Sequence, residues 1–233
     1  MAARGSADRT FGLVGAVAAV ALGLILVVVA ASVARIAWPS IQASGLGFVT
    51  EATWNPARGV YGALAFLWGT VVTSLLALCL SVPVGLGVAV FLTDLGPRQA
   101  RRPVSVLVEL LAAIPSVVYG LWAALVLAPL LRTTIQPLLG SIGGPLFRGQ
   151  PLGFGVLSAS IVLAIMILPT IASVSRDVLR AVPTELREGA LALGATPWDV
   201  VRLVVFPHAR RGVFGAILLG FGRAVGETMA VAA

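Results

Sequence analysis

Apolar runs too long for the core of a soluble domain dictate what this chain can become. From Phe11 to Ala37 the only charged residue is Arg35. Comparable runs cover about Tyr61 to Leu92, Val104 to Leu131, Leu152 to Val174 and Gly212 to Ala233. A hydrocarbon layer ~30 Å thick is crossed by ~20 helical residues, and inside it only helices and closed barrels satisfy every backbone polar group. Barrel strands would read as ~10-residue alternating segments, which these are not. The sequence therefore predicts an all-α, polytopic helical bundle with five spans. Hydrophobic residues at 59% and charged residues at 11% agree with a bilayer as solvent.

The charged residues exclude several chemistries. All 16 basic residues are arginine, and there is no lysine. A phosphate-binding P-loop needs a lysine, and so does a Schiff-base enzyme, so ATP used by any process here is hydrolysed on another chain. The formal net charge of +7 is spread over loops between apolar runs, which argues for topology rather than nucleic-acid binding. A lone cysteine, Cys79, cannot form an intramolecular disulfide, and a lone histidine, His208, cannot build a multi-histidine metal site. Cys79 reads as a small packing residue and His208 as an interfacial polar group beside Pro207.

The first run has no clear small-residue cleavage site after it and reads as a retained anchor. Trp38-Pro39 predicts an interface and a helix stop, followed by a polar loop through Glu51, Trp54, Asn55 and Arg58. Pro83 and Gly85 predict a kink in the second span. Asp94, Arg98, Arg101 and Arg102 form the next loop, and a Gly- and Pro-rich loop spans Arg132 to Pro151. The longest polar segment is Ser175 to Arg211. Eleven arginines fall on the side of the N-terminus and this segment and four on the other, which predicts a cytoplasmic N-terminus. Residues 1–60 thus read as an anchor helix with an external loop, and 61–233 as a transmembrane domain with a cytoplasmic loop at about 176–211. The fifth span reaches Ala233 without a polar flank, so a further span is expected beyond it.

Arg223 and Glu227 lie one turn apart in the last apolar run, where each charge costs ~2.5–3.5 kcal/mol on insertion scales. A guanidinium fork suits a tetrahedral oxyanion, and a carboxylate below it can hold the arginine when the path is empty and limit how tightly the anion binds. A structural ion pair locking two helices is the plainer alternative. Thr228 offers a hydroxyl to the same path. Gly222 and Gly226 form a G-x-x-x-G that reads as helix packing. Glu109 is expected to pair with Arg98, Arg101 or Arg102. Pro115-Ser116 predicts a mid-span kink that exposes carbonyls or the hydroxyl to a cavity.

In the cytoplasmic segment, Pro183-Thr184 reads as a helix start, with Glu185 and Glu188 near its positive end and Leu186, Ala190 and Leu193 as its apolar face. Gly194 ends that helix, Thr196-Pro197 starts another, and Leu203 to Pro207 lead back to the membrane. A surface helix merely connecting two spans would look similar. The spacing Glu188-Gly189-Ala190, then Gly194, then Val204-Val205-Phe206-Pro207 resembles the EAA loop of ABC importer permeases, with mild departures at Gly189, Val204 and Phe206. ELLAAIPSVVYGLW (Glu109 to Trp122) and GRAVGETMAVA (Gly222 to Ala232) resemble the C-type membrane subunit of bacterial phosphate-specific importers. Sulfate and molybdate permeases tend to read G-E-F-G-A where this chain has Gly226-Glu227-Thr228-Met229-Ala230.

The resemblance implies a type-I, MetI-like importer permease in the inner membrane, forming half of a phosphate pathway. It implies a second related permease, a cytoplasmic ATPase dimer that carries the ATP and magnesium, and an external phosphate-binding protein. No cofactor is expected on this chain, and no enzymatic site. The implied coupling residues are Glu185, Glu188, Gly189, Ala190, Gly194 and Pro207, within an interface from about Thr184 to Asp199. The implied pathway residues are Arg223, Glu227 and Thr228. A permease for another oxyanion (sulfate or molybdate), an ion-coupled secondary transporter using Arg223 and Glu227, and a non-transporting scaffold or sensor are the rival readings.

Overall fold

The computed structural model describes residues 2–138 and 153–227. Among them, five helical stretches are long and apolar enough to cross a membrane: Phe11–Ala43, Leu64–Leu95, Ser116–Leu138, Val156–Arg180 and Pro197–Gly226. By contact the chain divides into two compact units at Leu67/Trp68.

The first unit is built on α1 (Ala2–Ser44). Contrary to the expected stop, the helix runs through Pro39. Proline removes one backbone donor and leaves the ladder around it free to continue, a tolerated defect in apolar surroundings. After α2 (Gly47–Thr50), Trp54–Asn55 (β1) and Val60–Tyr61 (β2) pair antiparallel. The Trp54 ring meets Tyr61 and Phe66 edge-on at centroid distances of 5.4 and 5.3 Å, which gives the short hairpin an aromatic anchor.

The second unit is a helical bundle. α3 (Leu64–Val90) passes unbroken through Pro83 and continues as a π-helical turn over Phe91–Leu95, so Asp94 is helical rather than in a loop. α4 (Arg98–Ala113) follows, with Arg98, Arg101 and Arg102 in its first turns. The expected third span is two helices, not one kinked helix. Ile114 (φ −69°, ψ 127°) and Pro115 (φ −60°, ψ 142°) are extended, and α5 starts afresh at Ser116–Trp122. A residue before proline is pushed out of the helical region, and here nothing restores it. The helical run then goes on through a π-turn (Ala123–Leu127), α6 (Ala128–Leu130) and a second π-turn (Leu131–Ile135).

α7 (Val156–Arg180) is the most buried of the five candidate spans. α8 (Thr184–Ala192) is the short helix of the polar segment, and α9 (Pro197–Asp199) opens the last helical run. That run passes through a π-turn (Val200–Val205) into α10 (Phe206–Gly226), so the last helix begins well before Gly212. The wide turn explains how it crosses Pro207: the Phe206 N–H reaches back to the Val201 carbonyl, shifting the register where proline has no donor.

Three apolar clusters meet on α7. Tyr119, Leu127 and Leu131 pack on its Val162 and Met166. Ala77 of α3 and Ala224 of α10 pack on Leu163, Ile167 and Ile171. Val182, Val201 and Val205 gather with Leu179 near its end. The inward stripe of α3 is small (Ser74, Ala77, Ser81, Gly85), while Cys79 faces outward and is exposed, not packed as expected. An added Cβ at Gly85 would lie 3.0 Å from Ile171 Cγ2, and one at Gly220 2.7 Å from Ile171 Cγ1. Gly222 and Gly226, expected to be packing glycines, have open space beside them among the described residues. Gly222 sits about 200° around the helix from Gly220 and Gly226 about 240°.

At Gly212 a Cβ would lie 2.5 Å from Val178 Cγ1 and 2.9 Å from Cγ2, against a side chain stiff at χ1. Gly212→Ala should therefore destabilise the bundle by ~1–3 kcal/mol. Gly215→Ala, where nothing lies within 4 Å, is the matched control. Unfolding midpoints of the detergent-solubilised variants test this: the first should fall below the second, and equal midpoints would refute the close α7–α10 approach.

Candidate functional site

Two sites take shape, one inside the bundle and one at the α8–α9 turn. In the first, Arg223 of α10 donates from Nη1 to Thr170 Oγ1 at 3.1 Å. Thr170 lies ten residues before the end of α7 at Arg180, which puts the guanidinium ~15 Å along the helix from that end, near mid-span. The guanidinium is exposed, and the Thr170 hydroxyl is its one side-chain hydrogen bond among the described residues. Pro169, next in sequence, has no N–H to offer the Ile165 carbonyl, so a backbone acceptor is released one turn away.

Tyr119 of α5 lies in the field of Arg223. Its hydroxyl donates to the Leu111 carbonyl at 2.8 Å, one of the acceptors left over at the end of α4. Tyr119 thereby bridges the Ile114–Pro115 break. The site is thus an arginine from α10 anchored by a hydroxyl from α7, with the hydroxyl of Tyr119 spent on the backbone break. A guanidinium held in this way keeps charged donors that suit an anion.

Glu227 is placed differently from its expected position one turn below Arg223 on a continuous helix. α10 ends at Gly226, and Glu227 is extended (φ −80°, ψ 119°) with its N–H on the Ala224 carbonyl at 3.4 Å. Two glycines within five residues, 222 and 226, weaken the helix there. Thr228 lies outside the described residues.

Glu109 also differs from expectation. It accepts from Ser105 Oγ at 3.0 Å, and Ser105 in turn accepts from Arg176 Nη1 at 3.0 Å, so a serine links α4 to α7. Arg101 is turned away, donating to the Gly96 and Asp94 carbonyls at 2.7 and 3.2 Å.

The polar segment between α7 and the last helical run folds as its residues predict at both turns. Gly194 takes φ +88°, with its N–H on the Leu191 carbonyl at 2.9 Å and the Ala195 N–H on the Ala190 carbonyl at 3.1 Å. These two bonds make a Schellman closure of α8 around the left-handed glycine. Thr196 then caps α9: its Oγ1 accepts from the Asp199 N–H at 3.2 Å, and its own N–H donates to Asp199 Oδ2 at 3.1 Å, with Pro197 in the first turn.

The predicted apolar face is another matter. Ala190 alone of Leu186, Ala190 and Leu193 packs inward, with Ala195. Leu186, Leu191, Leu193 and Trp198 are exposed, Leu193 at 91%, beside exposed Glu185, Glu188 and Gly189. A cluster of this kind beside a rigid, capped turn is a surface shaped for a protein partner. Pro207 and His208 are exposed farther along the last helical run.

Sequence reasoning missed Thr170, Tyr119 and the inward turn of Arg187. Thr170 beside Pro169 mid-span was the available signal for the first. Burial lowers the Arg187 guanidinium from its ordinary value, although an arginine remains protonated throughout.

The chain is 46% identical over 230 residues to the phosphate transport system permease protein PstC of Mesorhizobium japonicum, covering 96% of this chain and 70% of that one. It is 48% identical over 200 residues to PstC of Haemophilus influenzae, covering 83% and 64%. PstC 2 of Mycobacterium tuberculosis is 40% identical over 232 residues, covering 96% and 72%. Among solved structures, an inward-facing form of the MetNI methionine ABC transporter superposes with a TM-score of 0.55 at 26% identity, over 75% of this chain and 74% of that one. Residues 81–233, from mid-α3 through the arginine site, match the family model, and the chain belongs to the binding-protein-dependent transport system inner membrane components.

Proposed function

We propose that the chain is a membrane subunit of an ATP-driven importer and forms half of the pathway for inorganic phosphate. The observation that carries the substrate is the 46% identity to a phosphate permease across 96% of the chain. The geometry of Arg223 accords with it, since an exposed guanidinium held at one nitrogen keeps the rest of its fork for an oxyanion. In this reading Arg223 binds phosphate, Thr170 sets its orientation, and Glu227 and Thr228 line the same route. The N-terminus and α8 lie on the cytoplasmic side, as the arginine distribution favours.

The chain itself carries no ATPase site. An ATPase dimer docks on the α8–α9 turn through Leu186, Leu191, Leu193 and Trp198, with Glu185, Glu188, Gly189, Ala190, Gly194 and Pro207 shaping the interface. A related second permease completes the pathway, and a phosphate-binding protein delivers the anion from outside. ATPase closure moves the docking turn, and the attached helices change which face of the arginine site is open.

Replacing Gly194 by Val puts a β-branched residue at φ +88°, where L-residues lose ~1–2 kcal/mol. The variant should insert normally, yet uncouple ATP hydrolysis from uptake, and Asn, which tolerates this backbone, should be milder. Full retention of both ATPase co-purification and phosphate uptake in the Val variant would remove the coupling assignment.

Arg223→Gln should reduce phosphate uptake roughly ten- to hundredfold, the loss expected for a charge-assisted bond. Arg223→Lys should also be impaired, because the ammonium lacks the planar fork. The deciding measurement is uptake by the Arg223→Gln, Glu227→Gln double variant at matched membrane abundance. Continued inactivity with the ATPase still bound is expected. Near-normal uptake would make the two residues a structural pair.

A further inference from the structure

The most heavily bonded charged cluster among the described residues lies away from the arginine site, under α8. Arg187 turns inward from that helix and donates from Nη1 to Asp94 Oδ1 at the end of α3. Its Nη2 donates to the Leu179 carbonyl in the last turn of α7 at 2.5 Å. Asp94 also accepts from Thr93 Oγ1 through Oδ2 at 2.6 Å, and its carbonyl accepts from Arg101 of α4. One guanidinium and one carboxylate therefore tie α3, α7 and α8 together, and a second guanidinium, Arg101 of α4, holds the Asp94 backbone carbonyl. The two side chains are 17% and 12% exposed.

The rest of the grip on α8 is weak. No residue of α8 is buried, and its inward apolar contact is the methyl of Ala190, with that of Ala195 just beyond its end. Contacts between methyls are non-directional and permit sliding. Charge-assisted bonds fix distance and angle. A buried ion pair is also weak evidence of added stability, since an apolar pair of similar volume often does as well or better. Its presence here calls for a role that geometry, not net stability, supplies.

We infer that the Arg187–Asp94 pair is the positioning link that carries displacement of the docking turn into α3 and α7. The inference rests on the reading of α8–α9 as an ATPase-docking turn. When the turn moves, Arg187 pulls on Asp94 and on the Leu179 carbonyl together, so the cytoplasmic ends of both helices follow as one body. Without the pair, the turn still docks but slides over the bundle.

The test uses the whole importer in vesicles, with inorganic phosphate as the transported probe and ATP hydrolysis measured in the same sample. The Asp94→Leu, Arg187→Met double variant replaces the pair by apolar side chains. It should retain the ATPase on co-purification and still hydrolyse ATP, while phosphate moved per ATP falls roughly tenfold or more, a typical coupling effect. Arg187→Lys, which keeps the charge but cannot span both acceptors with a fork, should fall between. Leu193→Ser, on the exposed side of the turn, should instead weaken ATPase retention. Parental phosphate per ATP in the double variant overturns the inference, and so does loss of the ATPase from it, which would make the pair a fold element of α8. Absence of ATP-driven phosphate uptake by the parent importer overturns the functional reading and this inference with it. A coupled double variant beside an active parent overturns the inference alone.

Discussion

Close approach of backbones around Ile171 is the constraint on which the bundle rests. Ile171 is fully buried on α7 and lies against Gly85 of α3 on one side and Gly220 of α10 on the other. Without a hydrophobic driving force between helices in lipid, contact area gained by small residues does the work of association. The two glycines let α3 and α10 both reach α7 at the same level. Thr170 immediately precedes Ile171, so the packing that fixes the isoleucine also fixes the hydroxyl that holds Arg223. Site precision in the membrane is then a consequence of packing one residue away.

The rest of α7 places the two sites on one rigid element. Thr170 and the Leu179 carbonyl are nine residues apart on a continuous helix, about 14 Å along its axis. The arginine site takes hold of α7 at its middle, and Arg187 takes hold of it near its end. Movement imposed at the lower point therefore arrives at the upper one without passing through a loop. The same does not hold for α4 and α5, where the Ile114–Pro115 break separates a basic amphipathic helix from an apolar span. Tyr119 spans that break by a single hydrogen bond.

Much of this was legible in the residues. Apolar run length located the spans, because lipid leaves the backbone no other choice. Gly194 and Thr196-Pro197 located the turn between α8 and α9, because left-handed backbone and helix capping each demand a particular residue type. Prolines were less legible. Pro39, Pro83 and Pro207 each sit inside a helical run, whereas Pro115 separates two helices. Proline removes the same donor everywhere, and the outcome depends on whether the surrounding register absorbs the loss, as the π-turn before Pro207 does. That is a property of neighbouring turns, not of the proline. Glu109 was misjudged, and Arg187 passed over, for a related reason: an arginine-rich, acid-poor sequence offers many partners per carboxylate. Ser105 and Asp94 became the contacts only once α4, α7 and α8 were brought together.

The two charged features of the bundle differ in how their charges are compensated, and this difference bears on what each can do. Arg187 faces a carboxylate and a carbonyl and is largely covered, so its charge is satisfied within the chain. Removing one member of such a pair leaves the other uncompensated, at a cost of ~3–5 kcal/mol. An interaction that costly to break is suited to being kept through a cycle of movement. Arg223 has a neutral hydroxyl as its side-chain partner and remains exposed. A neutral partner orients a guanidinium without cancelling its charge. The same residue type is thus compensated where an acid is built in, and keeps its charge where its side-chain partner among the described residues is a hydroxyl.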